Sequence, residues 1–521
     1  MKLTLITILH LFIFIVPSFA QQHLLHQQDQ MRNATWTIGY YATSVDFRLQ
    51  PPLVDTVRPL LSPTPTPWPN LFLGHSSICD TLGNLQFFTN GFVPFDKYGH
   101  PMQGWQDVGA PFGTKWNNDY VLSYTQRSII LPQAGNRYYL ITAGMSDANY
   151  DQWRASGKLY IKFWFDVLTY TIIDMDSNGG KGAIVSKNFI MLQDARMALD
   201  RMTATRHGNG RDWWIVRPHK TEQKYYTFLA TQDTIVLVDS VLQNFDSITY
   251  IGRRAQCNFS PNGEHFCMVH DDVDTFRNDI YTYDFDRCSG KFNNYHKYHI
   301  PLSDTFDCVT GCCYSPDSKL LYVSSYDEVF QLEVGDTNAS SVQFIHGPDT
   351  TWGFPDYLNM QLADNGHIFV GNRNVIRQTM SIITNPNQRG KACNFVPQGF
   401  RQSVDNTGAP PNIVNFSLGR WLNSPCDTIP PPKPPIPVPS AWQLYPNPAT
   451  DLLYIDVPDS SAARLEVRIA NASGQIVSTG NYAVSAQHRA ELNVGMLAAG
   501  FYHVLVTHQQ QKFAGKLIVI R

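Results

Sequence analysis

The 521-residue sequence has few charged residues and almost no net charge. Lys and Arg number 40 against 43 Asp and Glu, and charged residues make up 16% of the chain, below the roughly 25% of an average soluble protein. This balance excludes a nucleic-acid binder whose affinity comes from a broad excess of basic residues. Hydrophobic residues reach 43%, so the chain can bury a core and disorder is excluded as its dominant state.

Long apolar runs are absent after the first residues of the chain. Lys2 precedes a nearly apolar stretch from Leu3 to Val16, which Ser18-Phe19-Ala20 follows with a small-x-small pattern. This is the layout of a secretory signal peptide. A transmembrane anchor is the alternative, but the stretch is shorter than the roughly 20 apolar residues that span a bilayer. We therefore expect residues 1–20 to be a cleaved signal peptide and the mature chain to have no transmembrane segment.

The signature motifs of common enzyme classes are also missing. The sequence has no Gly-x-Ser-x-Gly elbow, no His-Glu-x-x-His and no phosphate-cradling glycine loop, each of which would indicate a particular chemistry. His207, with Arg211 and Asp212 nearby, could act in acid–base chemistry. The intervening Gly-Asn-Gly turn instead favours a structural role, in which His207 and Asp212 bond to the turn backbone.

All nine cysteines lie after the signal peptide, and an exported chain can form disulfides. Cys257 and Cys267 flank the turn Pro261-Asn262-Gly263, so a hairpin would bring their strands side by side as a candidate disulfide. A second group offers one further bridge, with Cys288 as a candidate partner: Cys308, Cys312 and Cys313. Zinc binding is the alternative for this group, but adjacent cysteines fit tetrahedral coordination poorly.

Short apolar runs separated by turns recur from about Trp36 to Cys426. Three units starting at Phe259, Tyr314 and Leu362 each have an apolar residue, a tight turn and an apolar strand, and their starts are 55 and 48 residues apart. This spacing is close to the ~40–50 residues of a four-stranded propeller blade. Similar units begin earlier in the chain, at Ile78, Pro132 and Arg206.

These six units predict an all-β fold with a β-propeller over residues 21–429. The strand from Trp36 to Phe47, with Ile413 to Leu418 from the other end, could complete a seventh blade. A closed ring of blades leaves only short, protected sheet edges. A series of β-sandwiches or a β-helix is the alternative, and the repeat length favours blades over the shorter coils of a β-helix.

A proline-rich segment separates this region from a smaller C-terminal domain. Seven prolines fall between Ile429 and Pro439, which predicts a linker over residues 430–441 in the extended polyproline II conformation. Its proline-rich part, residues 430–439, would be about 30 Å long at ~3.1 Å per residue. In residues 442–521, apolar residues alternate along several short runs, so each predicted strand has one buried face. An immunoglobulin-like β-sandwich is the simplest fold for this segment.

Four short motifs of the C-terminal domain occur in order and end at the last residue. They are an opening Leu444–Asp451 segment, a Gly-x-x-Val turn, a Leu-x-x-Gly-x-Tyr segment and a basic, apolar final strand. In this order they resemble the type IX secretion C-terminal sorting domain of Bacteroidota. The residues that carry the resemblance are Tyr445, Pro446, Asn447, Pro448, Gly474, Gly500, Tyr502 and Lys516.

The resemblance implies a route out of the cell. The signal peptide would carry the chain through the inner membrane, and the type IX machinery would recognise the folded C-terminal domain at the outer membrane. The mature protein would then be secreted or held at the cell surface. An ordinary adhesive sandwich module is the alternative reading of residues 442–521.

Two acidic segments are candidate calcium sites. Asp174, Asp176 and Asn178 resemble the start of a calcium loop, but the glutamate that would complete the loop is missing. The densest acidic group contains Asp271, Asp272 and Asp274. Plain turns explain both segments equally well, so we predict no cofactor, with calcium as the alternative.

These observations favour a non-enzymatic, exported propeller that binds a surface glycan or protein, or acts as a scaffold. The alternative is a secreted hydrolase or lyase that acts on polysaccharide or peptide at the mouth of the propeller channel. An enzyme should place two carboxylates, or a histidine and a nucleophile, within about 10 Å in one cleft, since glycosidase pairs lie roughly 5–9.5 Å apart. A binding module should show separate polar groups and exposed aromatic side chains.

Overall fold

A computed structural model of the chain divides it into two compact units, Met1–Ile429 and Pro430–Arg521. The structure describes residues 23–25, 29–39, 42–56, 71, 73–109, 124–157, 164–220, 222, 224–242, 255–272, 277–304, 307–336, 342–347, 357–372, 378–402, 408–428, 441–458, 463–485, 487–508 and 511–521. The predicted signal peptide and most of the predicted linker lie outside these ranges.

The described part of the first unit contains seven antiparallel sheets whose strands pair in chain order. Sheets 1 and 2 have three strands each: β2 Thr35–Ile38, β3 Thr43–Asp46, β4 Leu53–Thr56; β5 Ser76–Cys79, β6 Leu85–Thr89, β7 Pro94–Asp96. Sheet 3 has four strands: β8 Ser128–Pro132, β9 Arg137–Gly144, β10 Phe165–Asp174 and β11 Ala183–Met197. Sheet 4 also has four: β12 Thr203–Arg206, β13 Trp213–Pro218, β14 Lys224–Ala230 and β15 Ile235–Leu242. The four strands of sheet 5 are β16 Cys257–Phe259, β17 His265–Asp272, β18 Arg277–Asp286 and β19 Lys291–His299. Sheets 6 and 7 also have four: β20 Val309–Tyr314, β21 Leu320–Ser325, β22 Val329–Glu333, β23 Gln343–His346; β24 Tyr357–Leu362, β25 Ile368–Asn372, β26 Thr379–Ile383, β27 Phe395–Arg401.

A few other elements complete this unit. Strand β1, His23–Leu25, pairs with β28, Leu418–Trp421, which joins the two ends of the unit. Helix α1, Asp147–Ala155, starts at Ser146, whose hydroxyl accepts a hydrogen bond from the Asn149 N–H at 3.1 Å, as an N-cap should. Short 3-10 helices among the described residues include Gln30–Asn33, Asn178–Gly180 and Gly390–Cys393.

The seven sheets form a closed succession. Contacts join β2 to β5, β5 to β8, β11 to β15, β12 to β16, β16 to β20 and β20 to β24. The last sheet returns to the first, because Phe369 of β25 packs edge-on against Trp36 of β2, with ring centres 5.5 Å apart. Successive antiparallel sheets that close on themselves are the β-propeller architecture, which removes exposed sheet edges.

The repeated Ser-Pro turns have a common hydrogen-bond pattern. The Ser260 hydroxyl donates to Asn262 Oδ1 at 2.6 Å and accepts from the His265 N–H at 2.9 Å. Ser315 makes the same two contacts in the next sheet, with Asp317 and with the Leu320 N–H. In these two sheets the serine therefore fixes the turn between the first two strands, which explains why the Ser-Pro pattern recurs in the sequence.

Residues 408–417 form no strand and run through the centre of the ring. The prediction that Ile413 to Leu418 helps to complete a seventh blade is therefore wrong, since only Leu418 belongs to a strand, β28. Asn412 Nδ2 donates to the carbonyls of Ser128, in sheet 3, and Met202, beside sheet 4, at 2.9 and 3.0 Å. Asn415 Nδ2 donates to Pro261 O in the turn of sheet 5 at 2.7 Å. Only a segment near the axis can reach inner strands of several different sheets.

The first unit has one disulfide among its described residues, and it is not the predicted one. Cys288 pairs with Cys426, whereas Cys257 and Cys267 are free thiols. In the register of β16 with β17, Cys257 lies opposite Met268 and Cys267 lies one position away. Adjacent register positions point to opposite faces of a sheet, so the two sulfur atoms cannot meet.

Cys267 and the predicted cysteine group are buried in neighbouring cores. The Cys267 sulfur lies 3.4 Å from that of Cys312, between sheets 5 and 6. Cys308 and Cys313 are also buried, and neither forms a disulfide. Cys288 therefore bonds to the C-terminal end of the unit rather than to this group.

The second unit is a sandwich of two antiparallel sheets. One has the order β29-β30-β33 and the other β32-β31-β34-β35. Their bounds are β29 Gln443–Tyr445, β30 Leu452–Asp456, β31 Arg464–Asn471, β32 Ile476–Ala483, β33 Arg489–Asn493, β34 Gly500–His508 and β35 Gln511–Val519. Alternating residues of the facing strands fill the core between the sheets, including Leu453, Val467, Val504 and Leu517. This arrangement agrees with the predicted sandwich.

No helix in the described part of the chain combines the length and apolar character that crossing a membrane requires.

Candidate functional sites

Tyr445, in the first sorting motif, is held in place by the side chains of Asp456 and Arg489. The Tyr445 hydroxyl donates to Asp456 Oδ1 at 2.8 Å, and Arg489 Nε donates to the same oxygen at 2.9 Å. The Arg489 guanidinium also lies 4.9 Å from the centre of the Tyr445 ring, in a cation–π contact. The peptide bonds that precede Pro446 and Pro448 are both cis.

Asn447 connects the first motif to the last strand. Its Nδ2 donates to Lys516 O at 2.8 Å, and its Oδ1 accepts from the Ile518 N–H at 2.9 Å. Two residues later, the Ala449 N–H donates to Ile518 O at 2.8 Å, and Ala449 O accepts from the Ile520 N–H at 2.9 Å. The motif therefore lies along β35 like a short additional strand.

The C-terminal residue connects three parts of the second unit. Arg521 Nη1 donates to Thr450 O at 3.0 Å and lies 3.5 Å from Asp451 Oδ1. Its Nη2 donates to the carbonyls of Gly495 and Leu497. The sequence analysis did not select Arg521, although its position as a basic residue at the chain end was a usable signal.

The remaining motif residues support turns and strand ends. Gly474 has a φ of 83°, in the region that favours glycine, within the turn between β31 and β32. Gly500 begins β34, and the buried Tyr502 donates its hydroxyl to Ala498 O at 2.8 Å. Lys516 is exposed on β35. The first, third and last motifs thus converge on one end of the sandwich through backbone contacts.

The first unit contains a cavity of about 240 Å³ at one end of the propeller axis. It lies at the carboxyl ends of the first strands of sheets 4 to 7, and the axial segment 413–417 forms part of its wall. Most of its polar side chains are neutral amides and hydroxyls, including Asn258, Ser260, Gln361 and Asn415. Such a lining suits hydrogen bonding to a small polar molecule.

Asp364 is the carboxylate of this cavity. The protein walls raise the pKa of Asp364 to about 7, and a hydrogen bond from Asn33 partly opposes this shift. The side chain keeps contact with solvent, so the proton can exchange. Asn33 is itself held by the Trp36 indole N–H, which donates to Asn33 Oδ1 at 2.7 Å. Asp364 belongs to the turn of the repeat unit that starts at Leu362, and the sequence alone does not show that this turn faces the axis.

The described residues that line the cavity include no second carboxylate and no histidine. Burial raises the pKa of the Cys313 thiol far above its ordinary value, so this lining group stays protonated. The described lining therefore offers hydrogen-bonding groups and one carboxyl group that can carry a proton.

The first predicted calcium segment forms a turn held by protein contacts. Asp174 Oδ2 accepts from Arg137 Nε at 2.9 Å, and its Oδ1 accepts from the Asp176 N–H at 3.0 Å. Asp176 Oδ1 accepts from Asn136 Nδ2 at 2.8 Å, and Asn178 begins a 3-10 helix. The two carboxylates therefore have partners other than each other.

The second predicted segment is only partly described. Asp271 and Asp272 end β17, with their side chains outside the described part, and Asp274 lies outside the described residues. Among the described residues, no group of three or more His, Cys, Asp and Glu side chains is arranged to hold a metal ion.

His207 has the structural role predicted for it. Its Nδ1 accepts from the Asn209 N–H at 3.0 Å, and its Nε2 lies 3.1 Å from Cys288 O. The Asp212 side chain accepts from the side chains of Asn209 and Arg211, at 2.8 Å each, and the Asp212 backbone carbonyl accepts from the His207 N–H at 2.8 Å. Burial lowers the pKa of His207, so the imidazole is neutral at pH 7.

Comparison with known families identifies the C-terminal domain. Residues 443–520 match the secretion system C-terminal sorting domain. The chain therefore has a type IX sorting C-terminus, which marks an exported protein that is secreted or held at the cell surface. No curated protein matches the chain.

Three solved structures are weakly similar to the chain. A prolyl endopeptidase is 12% identical over 75% of this chain and 49% of its own, with a TM-score of 0.28. A proposed 6-phosphogluconolactonase from Bacteroides fragilis is 11% identical over 72% of this chain and 96% of its own, with a TM-score of 0.38. Hsv2 from Kluyveromyces lactis is 8% identical over 69% of this chain and 93% of its own, with a TM-score of 0.34. The chain spans about half the length of the prolyl endopeptidase. Similarity this low carries no functional conclusion.

Proposed function

We propose that this protein is an exported, seven-bladed β-propeller that binds a small polar ligand in its axial cavity without transforming it. Each of the seven sheets is one blade in this proposal. The C-terminal domain is the export signal that the type IX machinery of a Bacteroidota cell reads after a Sec-type signal peptide has brought the chain across the inner membrane. The sorting-domain match over residues 443–520 carries the export part of the proposal, and the polar lining of the axial cavity supports the binding part.

The cavity supports binding rather than hydrolysis. Its wall offers amides, hydroxyls and a single carboxylate, Asp364, to a ligand. Hydrolysis of a glycosidic bond usually requires two carboxyl groups on opposite sides of the bond. A small polar molecule, such as one sugar unit of a surface glycan, fits the cavity volume of about 240 Å³.

The export role is tested by deleting residues 442–521 in the native organism. We expect the truncated chain to remain in the periplasm, because the machinery has no domain to recognise. The full-length chain should reach the surface or the medium. Normal export of the truncated chain would contradict the proposal.

The binding role is tested on the mature full-length protein with a glycan array. Wild-type protein and the Asp364→Asn variant are compared, and each positive ligand is incubated with the protein and analysed for products by mass spectrometry. We expect glycans that wild-type protein and the Asp364→Asn variant bind with different affinities. We also expect these glycans to be recovered intact after incubation with the protein. Cleaved ligands would instead support the hydrolase or lyase alternative.

A further inference from the structure

Four basic side chains of the first unit lie close to two consecutive aromatic residues, Trp164 and Phe165. The Arg196 guanidinium lies 4.9 Å from the centre of the Trp164 ring, and the Lys220 ammonium lies 5.5 Å from it. Trp164 is half-buried and Arg196 is exposed, whereas Lys220 is 1% exposed. This part of the group therefore leads from solvent into the protein.

The next aromatic residue continues the group inward. The guanidinium carbons of Arg127 and Arg217 lie 5.8 and 5.7 Å from the centre of the Phe165 ring. Arg127 also lies 3.5 Å above the Phe92 ring. Arg127 and Arg217 are 1% and 0% exposed. We call Arg127, Arg196, Arg217 and Lys220 the basic cluster.

The two described carboxylates next considered, Asp200 and Asp166, already have hydrogen-bond or ion-pair partners outside the basic cluster. Asp200 Oδ1 lies 3.1 Å from Arg201 Nη1, and its Oδ2 accepts from the Ala255 N–H at 2.9 Å. Asp166 accepts from both the N–H and the hydroxyl of Ser146, at 2.7 and 2.5 Å. Asp200 attracts Arg217 as well as Arg201, so one carboxylate is shared between two arginines and the basic side chains around it outnumber the carboxylates.

Arg217 has hydrogen-bond donors that no described group satisfies. Its Nη2 donates to Ala198 O at 2.5 Å, but its Nε and Nη1 are buried without a partner. A buried charged donor without an acceptor is strongly destabilising. Such a donor needs an acceptor from a ligand or an ordered water.

The ionisation of the basic cluster is consistent with a missing anion. Burial, followed by repulsion from Arg217, lowers the pKa of Arg127 to about 9. Burial, with repulsion from Arg196, lowers the pKa of Lys220 to about 8. An anion placed among these groups would offset the repulsion and stabilise their charged forms.

We propose that the basic cluster is a binding site for the carboxylate group of a small acidic ligand, with Arg217 Nε and Nη1 as its buried donors. The fork of a guanidinium matches the two oxygens of a carboxylate. The exposed Arg196 and the half-buried Trp164 form the solvent-facing end, where the rest of the ligand lies. This site shares no lining residue with the Asp364 cavity and does not depend on the function proposed for it.

The test measures ligand-induced stabilisation of the mature full-length protein at pH 7. Sodium glucuronate and sodium acetate are titrated, with sodium chloride at the same ionic strength as the reference. We expect both carboxylates to raise the melting temperature in a saturable way and chloride to have little effect. Tighter binding of glucuronate would assign the natural ligand to acidic sugars, and equal binding would assign recognition to the carboxylate alone. No carboxylate-specific stabilisation would overturn the proposal.

Variants locate the effect. Arg217→Gln should weaken carboxylate binding at least tenfold, and Arg196→Gln, at an exposed position that does not threaten folding, should weaken it less. Arg137→Gln is the matched control, because Arg137 is already paired with Asp174 at 2.9 Å and should leave binding unchanged. A crystal soaked with bromoacetate should show anomalous density beside Arg217. Unchanged binding in both cluster variants would contradict the assignment.

Discussion

The side-chain amide of Gln126 forms two hydrogen bonds with the backbone of Cys257, 131 residues later in the chain. Its Nε2 donates to Cys257 O at 2.8 Å, and its Oε1 accepts from the Cys257 N–H at 2.9 Å. The Gln256 side chain forms the same pair of bonds with the backbone of Met360. Its Nε2 donates to Met360 O at 2.7 Å, and its Oε1 accepts from the Met360 N–H at 3.0 Å. Buried amides thus take the place of strand neighbours along the axis, where the first strands of the sheets have free backbone groups.

Replacement of Gln126 by Ala should destabilise the propeller. Two buried backbone groups of Cys257 would lose their partners, which costs about 2–4 kcal/mol in total. Urea denaturation of the mature protein measures this change. Gln193→Ala, at an exposed position of β11, is the control and should change the free energy of unfolding very little. Equal stabilities of the two variants would contradict the axial role of Gln126.

Loss of the Cys288–Cys426 disulfide should lower the melting temperature. The bond closes a loop of 138 residues, and its removal frees the unfolded chain, at a cost of about 2–5 kcal/mol. Differential scanning calorimetry with and without reductant measures the effect. The double variant Cys288→Ser/Cys426→Ser should be less stable and no longer respond to reductant. A wild-type protein that ignores reductant would refute the prediction.

Asn447→Ala should reduce export. The variant loses the two contacts of Asn447 with the last strand, each of which contributes about 1 kcal/mol, and the first motif is no longer fixed along β35. Export is measured as the ratio of surface and medium protein to periplasmic protein by immunoblotting. Asn481→Ala, on the exposed face of β32, should be exported normally. Similar ratios for both variants would show that the Asn447 contacts do not matter for recognition.

Asp364→Asn should change how stability depends on pH. The pKa of Asp364 is about 7 in the folded chain, against an ordinary value of 3.8. Between these two pH values the folded state therefore binds more protons than the unfolded state. Stability from this group therefore falls as pH rises from about 4 to 7. Asn cannot ionise, and the melting temperature of the variant relative to wild type should rise across this window. Parallel profiles would indicate an unshifted Asp364.

Local patterns in the sequence explain most of the architecture. The Ser-Pro turns near Ser260 and Ser315 are set by contacts within six residues, so their recurrence predicts successive β-sheets. Alternation such as Leu453/Ile455 likewise identifies the strands of the second unit, because period two requires only neighbouring residues. The sorting motifs were also readable, since each is a short contiguous segment.

Long-range pairing could not be read in the same way. The sequence predicted a Cys257–Cys267 bond from a shared hairpin, but one register position separates their faces. Ile413 to Leu418 looked like a strand, yet the partners of Asn412 come from several sheets and hold the segment on the axis. Neither outcome follows from local propensity, because both depend on which distant strands meet.

The amino-acid sequence alone determined that this is an exported all-β protein with a C-terminal sorting domain, because turn patterns, strand patterns and sorting motifs act over a few residues. Only the tertiary structure decided which cysteines bond, that an internal segment fills the axis and where Asp364 and Arg217 face. Those features depend on burial and on contacts between residues more than a hundred positions apart, which a linear pattern does not encode.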